Sequence, residues 1–124
     1  MTSSSATGGT LRVEVFVDGD VALLSLAGEL SEETGGTVLP ASVTAALEAG
    51  VKVLQLGLWG VTFMDSSGLT LLLRVRGRLV IPDVWLQLVR PSPAVAKVLE
   101  VTSATSVFEI VDSPASASGL SRSR

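Results

Sequence analysis

The first clear pattern along the chain is an alternation of apolar and polar residues. Apolar side chains occupy every second position from residue 11 to residue 17, which is typical of a half-buried β-strand. Asp18 and Gly19 then provide the chemistry of a tight turn, and a run rich in strand-forming residues follows at 21–30. The pattern predicts an N-terminal β-hairpin.

The spacing of apolar residues changes after Ser31. That serine is a potential helix cap, two glutamates follow it, and helical spacing continues as far as Gly50. Pro40 lies inside this segment, so we expect a kink or a late helix start there. The next apolar run, at 51–59, predicts a central strand that is covered on both faces.

Two further helices and two further strands complete the pattern. The polar segment 65–68 opens a helix that is apolar on nearly all sides, and Ser92 and Pro93 open the last helix. Runs at 84–89 and 107–111 predict strands. The order β-β-α-β-α-β-α-β predicts an α/β fold, with a central, mostly parallel sheet, an N-terminal hairpin and helices packed against the sheet.

The two ends of the chain differ from its middle in composition. Residues 1–10 and 113–124 are rich in Ser, Thr, Gly and Ala and offer little to bury, so we expect disordered tails there. Neither a repeat nor an internal linker interrupts the segment between them. We therefore predict one domain at 11–112.

The 124-residue chain contains neither cysteine nor histidine. Their absence excludes disulfides, thiolate and imidazole metal ligands, thiol nucleophiles and imidazole acid–base catalysis. An enzyme would have to work with carboxylates, lysines or backbone groups. We therefore predict a protein that is not an enzyme and that has no catalytic residues, no metal ligands and no cofactor.

Charge and hydropathy limit the classes of partner. Nine basic residues stand against twelve acidic ones, a formal net charge of -3, which argues against direct binding of nucleic acid. The basic cluster at 74–78 suits the solvated end of a helix. No apolar run approaches the roughly 18 to 20 residues of a membrane span, and residues 1–10 do not form a secretory signal. We expect a soluble, cytoplasmic protein that does not bind membranes.

The polar segment Asp65-Ser66-Ser67-Gly68 separates a predicted strand from a predicted helix. Aspartate and serine start helices because their side-chain oxygens accept hydrogen bonds from the free N–H groups of the first turn. In parallel sheets, functional sites also gather where strands end and helices begin. Two interpretations stay open on the residues alone: the segment only caps the helix, or one hydroxyl is used chemically.

Several stretches of the chain resemble one known family. They are GEL at 28–30, FMDSSGL at 63–69, SPAVAKVLEVT at 92–102 and VFEIV at 107–111. Over residues 11–112 the chain resembles the STAS domain, specifically the small bacterial anti-sigma factor antagonists. This resemblance implies the STAS-type α/β fold and a role in sigma factor regulation, as in a stress response.

The resemblance also implies partners and a modification site. Such antagonists bind an anti-sigma factor that is also a serine kinase, and the sigma factor is thereby released. The kinase then phosphorylates the serine directly after the aspartate, which is Ser66 here, and a PP2C-type serine phosphatase reverses the modification. Ser67 is the alternative acceptor, although its place suits a hydrogen bond at the helix start.

Simple energetics are consistent with a phosphorylation switch. A phosphate at a helix N-terminus is favoured by about 0.3 to 1 kcal/mol. Burying its charge against a surface that fitted a hydroxyl costs on the order of several kcal/mol, unless the partner supplies cations. Asp65 adds like-charge repulsion, and Gly68 leaves room for a partner to approach the backbone. Phosphorylation of Ser66 should therefore disrupt binding more than folding.

The chain departs from the family pattern at two positions. Ser31 stands where the family usually continues GEL with aspartate, an acid that contributes to recognition of the partner or kinase. Ser31 can still cap a helix, and Glu32 and Glu33 are the candidates to replace the lost charge. Gly57 stands where the preceding strand often carries an acid or an amide.

An apolar partner surface is also predicted around Ser66. We expect Trp59, Leu30 and Leu69 to form an apolar patch that anchors the partner, because buried aromatic residues carry much of the binding energy of an interface. The alternative is that Trp59 packs over the core, as we expect for Trp85. The whole predicted partner-binding surface comprises Leu30, Ser31, Trp59, Asp65, Ser66, Ser67, Gly68 and Leu69.

Two functions from other classes remain as alternatives. A STAS-like accessory subunit would bind a transporter ATPase constitutively, and Ser66 would then be only a cap. An enzyme is the weakest alternative, since no His, Cys or identified Lys base stands ready to activate a hydroxyl of the motif. The apolar second helix leaves a monomer and a weak homodimer both open.

Overall fold

The computed structural model describes residues 2–8 and 10–114. In this part of the chain one sheet contains the strands β1 (Thr2–Gly8), β2 (Leu11–Asp18), β3 (Val21–Leu30), β4 (Val53–Met64), β5 (Trp85–Val89) and β6 (Ile110–Val111). The helices are α1 (Glu32–Gly35), α2 (Val38–Glu48), α3 (Ser66–Arg78) and α4 (Pro93–Val101), followed by a 3-10 turn at Ala104–Ser106. This succession confirms the predicted α/β fold.

The strands lie side by side in the order in which they occur along the chain. β2 runs antiparallel to both of its neighbours, β1 and β3, whereas β3, β4, β5 and β6 run parallel. The predicted hairpin is β2–β3, and Gly19 in its turn has a φ of 62°, a conformation that favours glycine. Because β3 and β4 are parallel neighbours, their C-terminal ends meet at the same edge of the sheet.

Helix starts follow the local signals in the sequence. Ser92 caps α4, since its Oγ accepts a hydrogen bond from the Val95 N–H at 3.3 Å, and Pro93 is the first residue of the helix. The segment for which we predicted a kink or a late helix start at Pro40 forms two helices, α1 and α2. Pro40 falls in the first turn of α2, where its missing N–H costs no helical hydrogen bond. Among the described residues, no helix is long and apolar enough to cross a bilayer.

The main core lies between one face of the sheet and the helices α2, α3 and α4. Alternate residues of β4, namely Leu54, Leu56 and Leu58, are fully buried and belong to the same cluster as Leu72 of α3 and Leu99 of α4. Successive side chains of a strand point to opposite faces. The alternation of β4 therefore fixes which face of the sheet the helices cover.

A smaller cluster is formed by strand residues whose side chains point to the other face of the sheet. It consists of Val21, Val53 and Trp85, one residue from each of three neighbouring strands. The Trp85 side chain is 9% exposed, and its indole N–H donates a hydrogen bond to Glu109. The prediction that Trp85 belongs to the interior is confirmed.

Three strands differ in extent from the sequence-based expectation. Residues 2–8, expected to be disordered, pair with β2 as strand β1; an edge strand forms through backbone hydrogen bonds and needs few apolar side chains. β4 continues to Met64, beyond its predicted end. Two register shifts in its pairing with β3 break the alternation of buried and exposed residues in this last part. β6 is only two residues long. Of the predicted C-terminal tail, residues 115–124 lie outside the described residues.

Candidate functional site

The site is built where β4 ends and α3 begins. Asp65 follows the last residue of β4 with an extended backbone and is the N-cap of α3. Its Oδ1 accepts a hydrogen bond from the Gly68 N–H at 3.0 Å. One of the free N–H groups of the first turn is thereby satisfied, which is the capping chemistry expected of an aspartate in this place.

Ser67 joins the start of α3 to the start of α1. Its Oγ donates a hydrogen bond to Asp65 Oδ1 at 2.6 Å and accepts one from the Glu32 N–H at 2.8 Å. The hydroxyl proton of Ser67 is therefore already used by Asp65. The side chain holds two segments together that lie 35 residues apart in the sequence.

Ser66 differs from Ser67 in exposure and in bonding. Its side chain is exposed, and its hydroxyl makes no hydrogen bond to any residue that the structure describes. Only its backbone carbonyl is engaged from a side chain, by the Thr70 hydroxyl at 3.1 Å. A reagent or a partner could therefore reach the Ser66 Oγ without breaking an existing side-chain contact.

The hydrogen bonds around Asp65 also favour its charged form. The Ser67 hydroxyl, followed by the Gly68 N–H, lowers the pKa of the Asp65 carboxyl below its usual range, and partial desolvation opposes this shift. Asp65 is therefore ionised at neutral pH. The residue that directly precedes Ser66 in the sequence therefore carries a negative charge.

Ser31, which stands in the place of the family's usual acid, has a structural role. It is the N-cap of α1, and its Oγ accepts a hydrogen bond from the Thr34 N–H at 3.4 Å, while its own N–H donates to Thr34 Oγ1 at 3.1 Å. This reciprocal pair is a capping box, so the predicted capping role of Ser31 is confirmed.

The two candidate replacements for the missing acid are both exposed. The Glu32 carboxylate accepts a hydrogen bond from Arg74 at 3.0 Å, which links α1 to α3 by an exposed ion pair. Glu33 lies one residue further along the same turn. Both carboxylates sit in the first turn of α1, whose backbone contacts Ser67 rather than Ser66.

Gly68 does not leave room for a partner, and the prediction that it does is wrong. The residue is buried, and a Cβ at this position would lie 2.3 Å from the Leu30 carbonyl oxygen and 2.7 Å from Met64 Cγ. The first turn of α3 therefore packs directly on the ends of β3 and β4. Glycine is needed here for an internal contact.

The predicted apolar patch around Ser66 is also wrong in two of its three members. Leu30 is fully buried and Leu69 is 8% exposed, because both side chains belong to the main core beneath the site. Trp59, by contrast, is 41% exposed. Its ring covers Gly57, where a Cβ would lie 2.4 Å from the ring. The Trp59 ring therefore occupies the space that a side chain at position 57 would need.

Phe63 is a surface residue that the sequence pattern did not single out. It is 48% exposed, near the end of β4 and three residues before Ser66. Its neighbours in the strand, Val61 and Met64, are buried. The register shifts of β4 place two buried residues three positions apart, and a simple period of two could not reveal this.

Together these features define an α/β protein whose capped helix start presents an exposed hydroxyl at the end of a parallel strand. The model of the STAS domain family matches residues 12–117. The chain therefore belongs to the STAS domain family, as its motifs indicated.

Solved structures confirm the fold. The crystal structure of an anti-sigma factor antagonist from Mycobacterium paratuberculosis matches with a TM-score of 0.72 at 21% identity, over 83% of this chain and 86% of that chain. The anti-sigma factor antagonist SpoIIAA in its unphosphorylated form matches with a TM-score of 0.67 at 24% identity, over 82% of this chain and 88% of that chain. The STAS-type fold predicted from the sequence is confirmed.

Proposed function

We propose that this protein is an anti-sigma factor antagonist that is switched off by phosphorylation of Ser66. It binds an anti-sigma factor with serine kinase activity, so that the sigma factor is released, and it has no catalytic activity of its own. Membership of the STAS family and the likeness to two antagonists support this role. It would act in the cytoplasm, as a monomer or weak homodimer.

The observation that carries the proposal is the contrast between the two serines. The Ser66 hydroxyl is exposed and makes no bond to a described residue, whereas the Ser67 hydroxyl is held between Asp65 and α1. Phosphorylation of Ser67 would break that link, whereas phosphorylation of Ser66 breaks none. Asp65 already caps α3, so the Ser66 hydroxyl is not needed as a cap.

The proposed modification is a phosphoryl transfer from ATP. A bond forms between the Ser66 Oγ and the γ-phosphorus, the bond from that phosphorus to the bridging oxygen of ADP breaks, and the serine proton passes to a base of the kinase. A PP2C-type serine phosphatase returns the hydroxyl by hydrolysis. Both enzymes act on an exposed oxygen at a helix start.

The physical effect of the phosphate depends on where it is placed. At the start of α3 it gains about 0.3 to 1 kcal/mol from the helix N-terminus, opposed by the ionised Asp65 next to it. In an interface that fits the hydroxyl it costs on the order of several kcal/mol, and roughly 1.4 kcal/mol is a tenfold loss of affinity. The complex should therefore separate while the domain stays folded.

Mass spectrometry of the phosphorylated protein tests the acceptor. The protein is incubated with the purified anti-sigma factor kinase of the same organism and ATP. We expect one phosphate on Ser66 in the wild type and in Ser67→Ala, and none in Ser66→Ala, because only the Ser66 oxygen is free. Equal phosphorylation of Ser66→Ala would overturn the assignment.

A binding experiment tests the switch itself. We expect Ser66→Asp to weaken binding to the same kinase at least tenfold, because it adds a charge, and Ser66→Ala to bind as the wild type does. Isothermal titration calorimetry gives both affinities. Circular dichroism of each variant checks that the fold is retained. Equal affinities of Ser66→Asp and wild type would contradict a charge-driven switch.

A further inference from the structure

Two aromatic side chains are exposed on the last part of β4, before the site. Trp59 is 41% exposed and Phe63 is 48% exposed, although the residues between and beside them include the buried Leu58, Val61 and Met64. Exposed aromatic rings are costly to leave in water and are enriched in the core of protein interfaces. We call Trp59 and Phe63 the aromatic strip.

The backbone beneath the aromatic strip forms a free edge of the sheet. β5 pairs with β4 only from Val53 to Gly57, and the Leu58 carbonyl beyond it accepts a hydrogen bond from the Ser92 N–H at 3.2 Å. In the described part of the chain, β3 is the one strand that pairs with the residues of β4 that follow Leu58. Small residues accompany the two rings, since Gly60 stands opposite Ala27 and the Trp59 ring lies over Gly57. The two rings therefore stand on a surface of small residues that is bordered by the exposed Thr62 and Glu29.

We propose that the aromatic strip is the anchor on which the anti-sigma factor docks an apolar surface, with Ser66 at the rim of that contact. This inference rests on the proposed function. Phe63 is three residues before Ser66, so the two lie within about 10 Å along the chain. A partner that covers the strip would reach the Ser66 hydroxyl without any change in the fold.

Charge favours a different protein over a second copy of this chain as the occupant. Glu29 is exposed and stands opposite Phe63 in the strand register, and the ionised Asp65 follows two residues later. In a symmetric dimer through the strip, each copy would bring the same surface and the same carboxylates into the contact. Like charges placed face to face in this way oppose self-association.

An apolar anchor also explains how the phosphate would act. A dianion introduced into or beside a hydrophobic contact disrupts it through loss of solvation and like-charge repulsion. Ser66 lies close enough to Phe63 in sequence for its phosphate to stand at the edge of the covered surface. The strip would supply the affinity, and Ser66 would supply its control.

The affinity of three single variants for the purified anti-sigma factor kinase tests the anchor. We expect Phe63→Ala and Trp59→Ala each to raise the Kd at least tenfold, because aromatic anchors dominate interface energies. Ile81→Ala is the matched control: Ile81 is 94% exposed beyond the far end of α3, a 13-residue helix about 20 Å long. It should change the Kd less than twofold. Urea unfolding of each variant checks that the fold is retained.

Tryptophan fluorescence gives a second measurement that does not depend on affinity. Trp59 is much more exposed than Trp85, so quenching by acrylamide reports mainly on Trp59, and Trp59→Phe identifies its share. We expect quenching to fall when the kinase binds the wild type, because the strip becomes covered. Unchanged quenching in a saturated complex would overturn the docking surface.

The outcomes separate this inference from the proposed function. If the wild type binds the kinase and Ser66→Asp does not, while Phe63→Ala and Trp59→Ala bind within twofold of wild type, the switch stands and the anchor is wrong. If the wild type does not bind the kinase at all, both fail. If sedimentation shows a homodimer that Phe63→Ala dissolves, the strip serves a second copy and the proposed occupant is wrong.

Discussion

At the scale of single residues, the glycines of α3 show how one position can reverse an ordinary rule. Glycine inside a helix is normally replaced by alanine with a gain in stability. Gly77 meets the conditions for that gain, since no described atom outside its chain neighbours and the nearby backbone of α3 lies within 4 Å of a Cβ built there. Gly68 does not, because backbone and side-chain atoms of β3 and β4 occupy the space.

We therefore predict opposite effects of the same substitution in one helix. Gly77→Ala should raise the free energy of unfolding by about 0.5 to 1 kcal/mol. Gly68→Ala should lower it by about 1 to 3 kcal/mol, because the start of α3 must move away from the Leu30 carbonyl. Urea unfolding followed by circular dichroism measures both. A stabilised Gly68→Ala would mean that this contact is looser than described.

At the scale of elements, the start of α3 is held by a short network of hydrogen bonds. Asp65 accepts from the Gly68 N–H and from the Ser67 hydroxyl, and Ser67 also accepts from the backbone of α1. The capping signal in the sequence predicted the first bond. The link to α1 could not be predicted, because it joins residues that only the fold brings together.

The lowered pKa of Asp65 makes this network sensitive to acid. Because the pKa is lower in the folded than in the unfolded chain, the ionised carboxylate contributes stability above the unfolded pKa of about 4, and this contribution is lost as the pH falls through the folded pKa. Asp65→Asn keeps a good N-cap but does not titrate.

We predict that the wild type and Asp65→Asn converge in stability under acid conditions. The difference in their free energies of unfolding should be largest near neutral pH and shrink as the pH is lowered from about 5 to 3. Urea unfolding at a series of pH values measures it, and the shared titration of all other groups cancels in the difference. A difference that stays constant with pH would show that the Asp65 pKa is not lowered.

At the scale of the whole molecule, the sheet unites segments with very different sequence signals. The central strands β3, β4 and β5 read as apolar runs because they carry the core. β1 is made of Ser, Thr, Ala and Gly and gives no such signal, yet its backbone pairs with β2 over its whole length. An edge strand of this kind belongs to the least stable part of a fold.

We predict that β1 can be removed without loss of the domain. Deletion of residues 1–9 should leave a single cooperative unfolding transition, because the core formed by the side chains that the structure describes, from Leu11 onward, stays complete. Deletion of residues 1–17 is the control and should abolish folding, since it removes the buried Leu11, Val13 and Val15. Thermal unfolding followed by circular dichroism distinguishes them. A shorter deletion that also fails to fold would make β1 an essential strand.

The sequence by itself determined whatever depends on neighbouring residues. The hairpin at Gly19 and the caps at Asp65 and Ser92 are local: a turn needs particular backbone angles, and a cap joins residues two or three positions apart. The motifs also identified the family, because a contiguous stretch such as FMDSSGL can be recognised without knowing which distant residues it contacts. The acceptor serine remains a prediction that rests on the motif.

Tertiary structure alone decided which side chains are available at the site. Leu30 and Leu69 are apolar, as residues of a docking surface would be, but they lie in the core. Phe63 lies at the surface because register shifts in β4 turn it outward. Burial depends on what other segments cover, and a strand edge is free only if no neighbour pairs with it. The motif named Ser66 as the acceptor by its position, and the tertiary structure added that the Ser67 hydroxyl is bonded to Asp65 and to α1 whereas Ser66 is exposed.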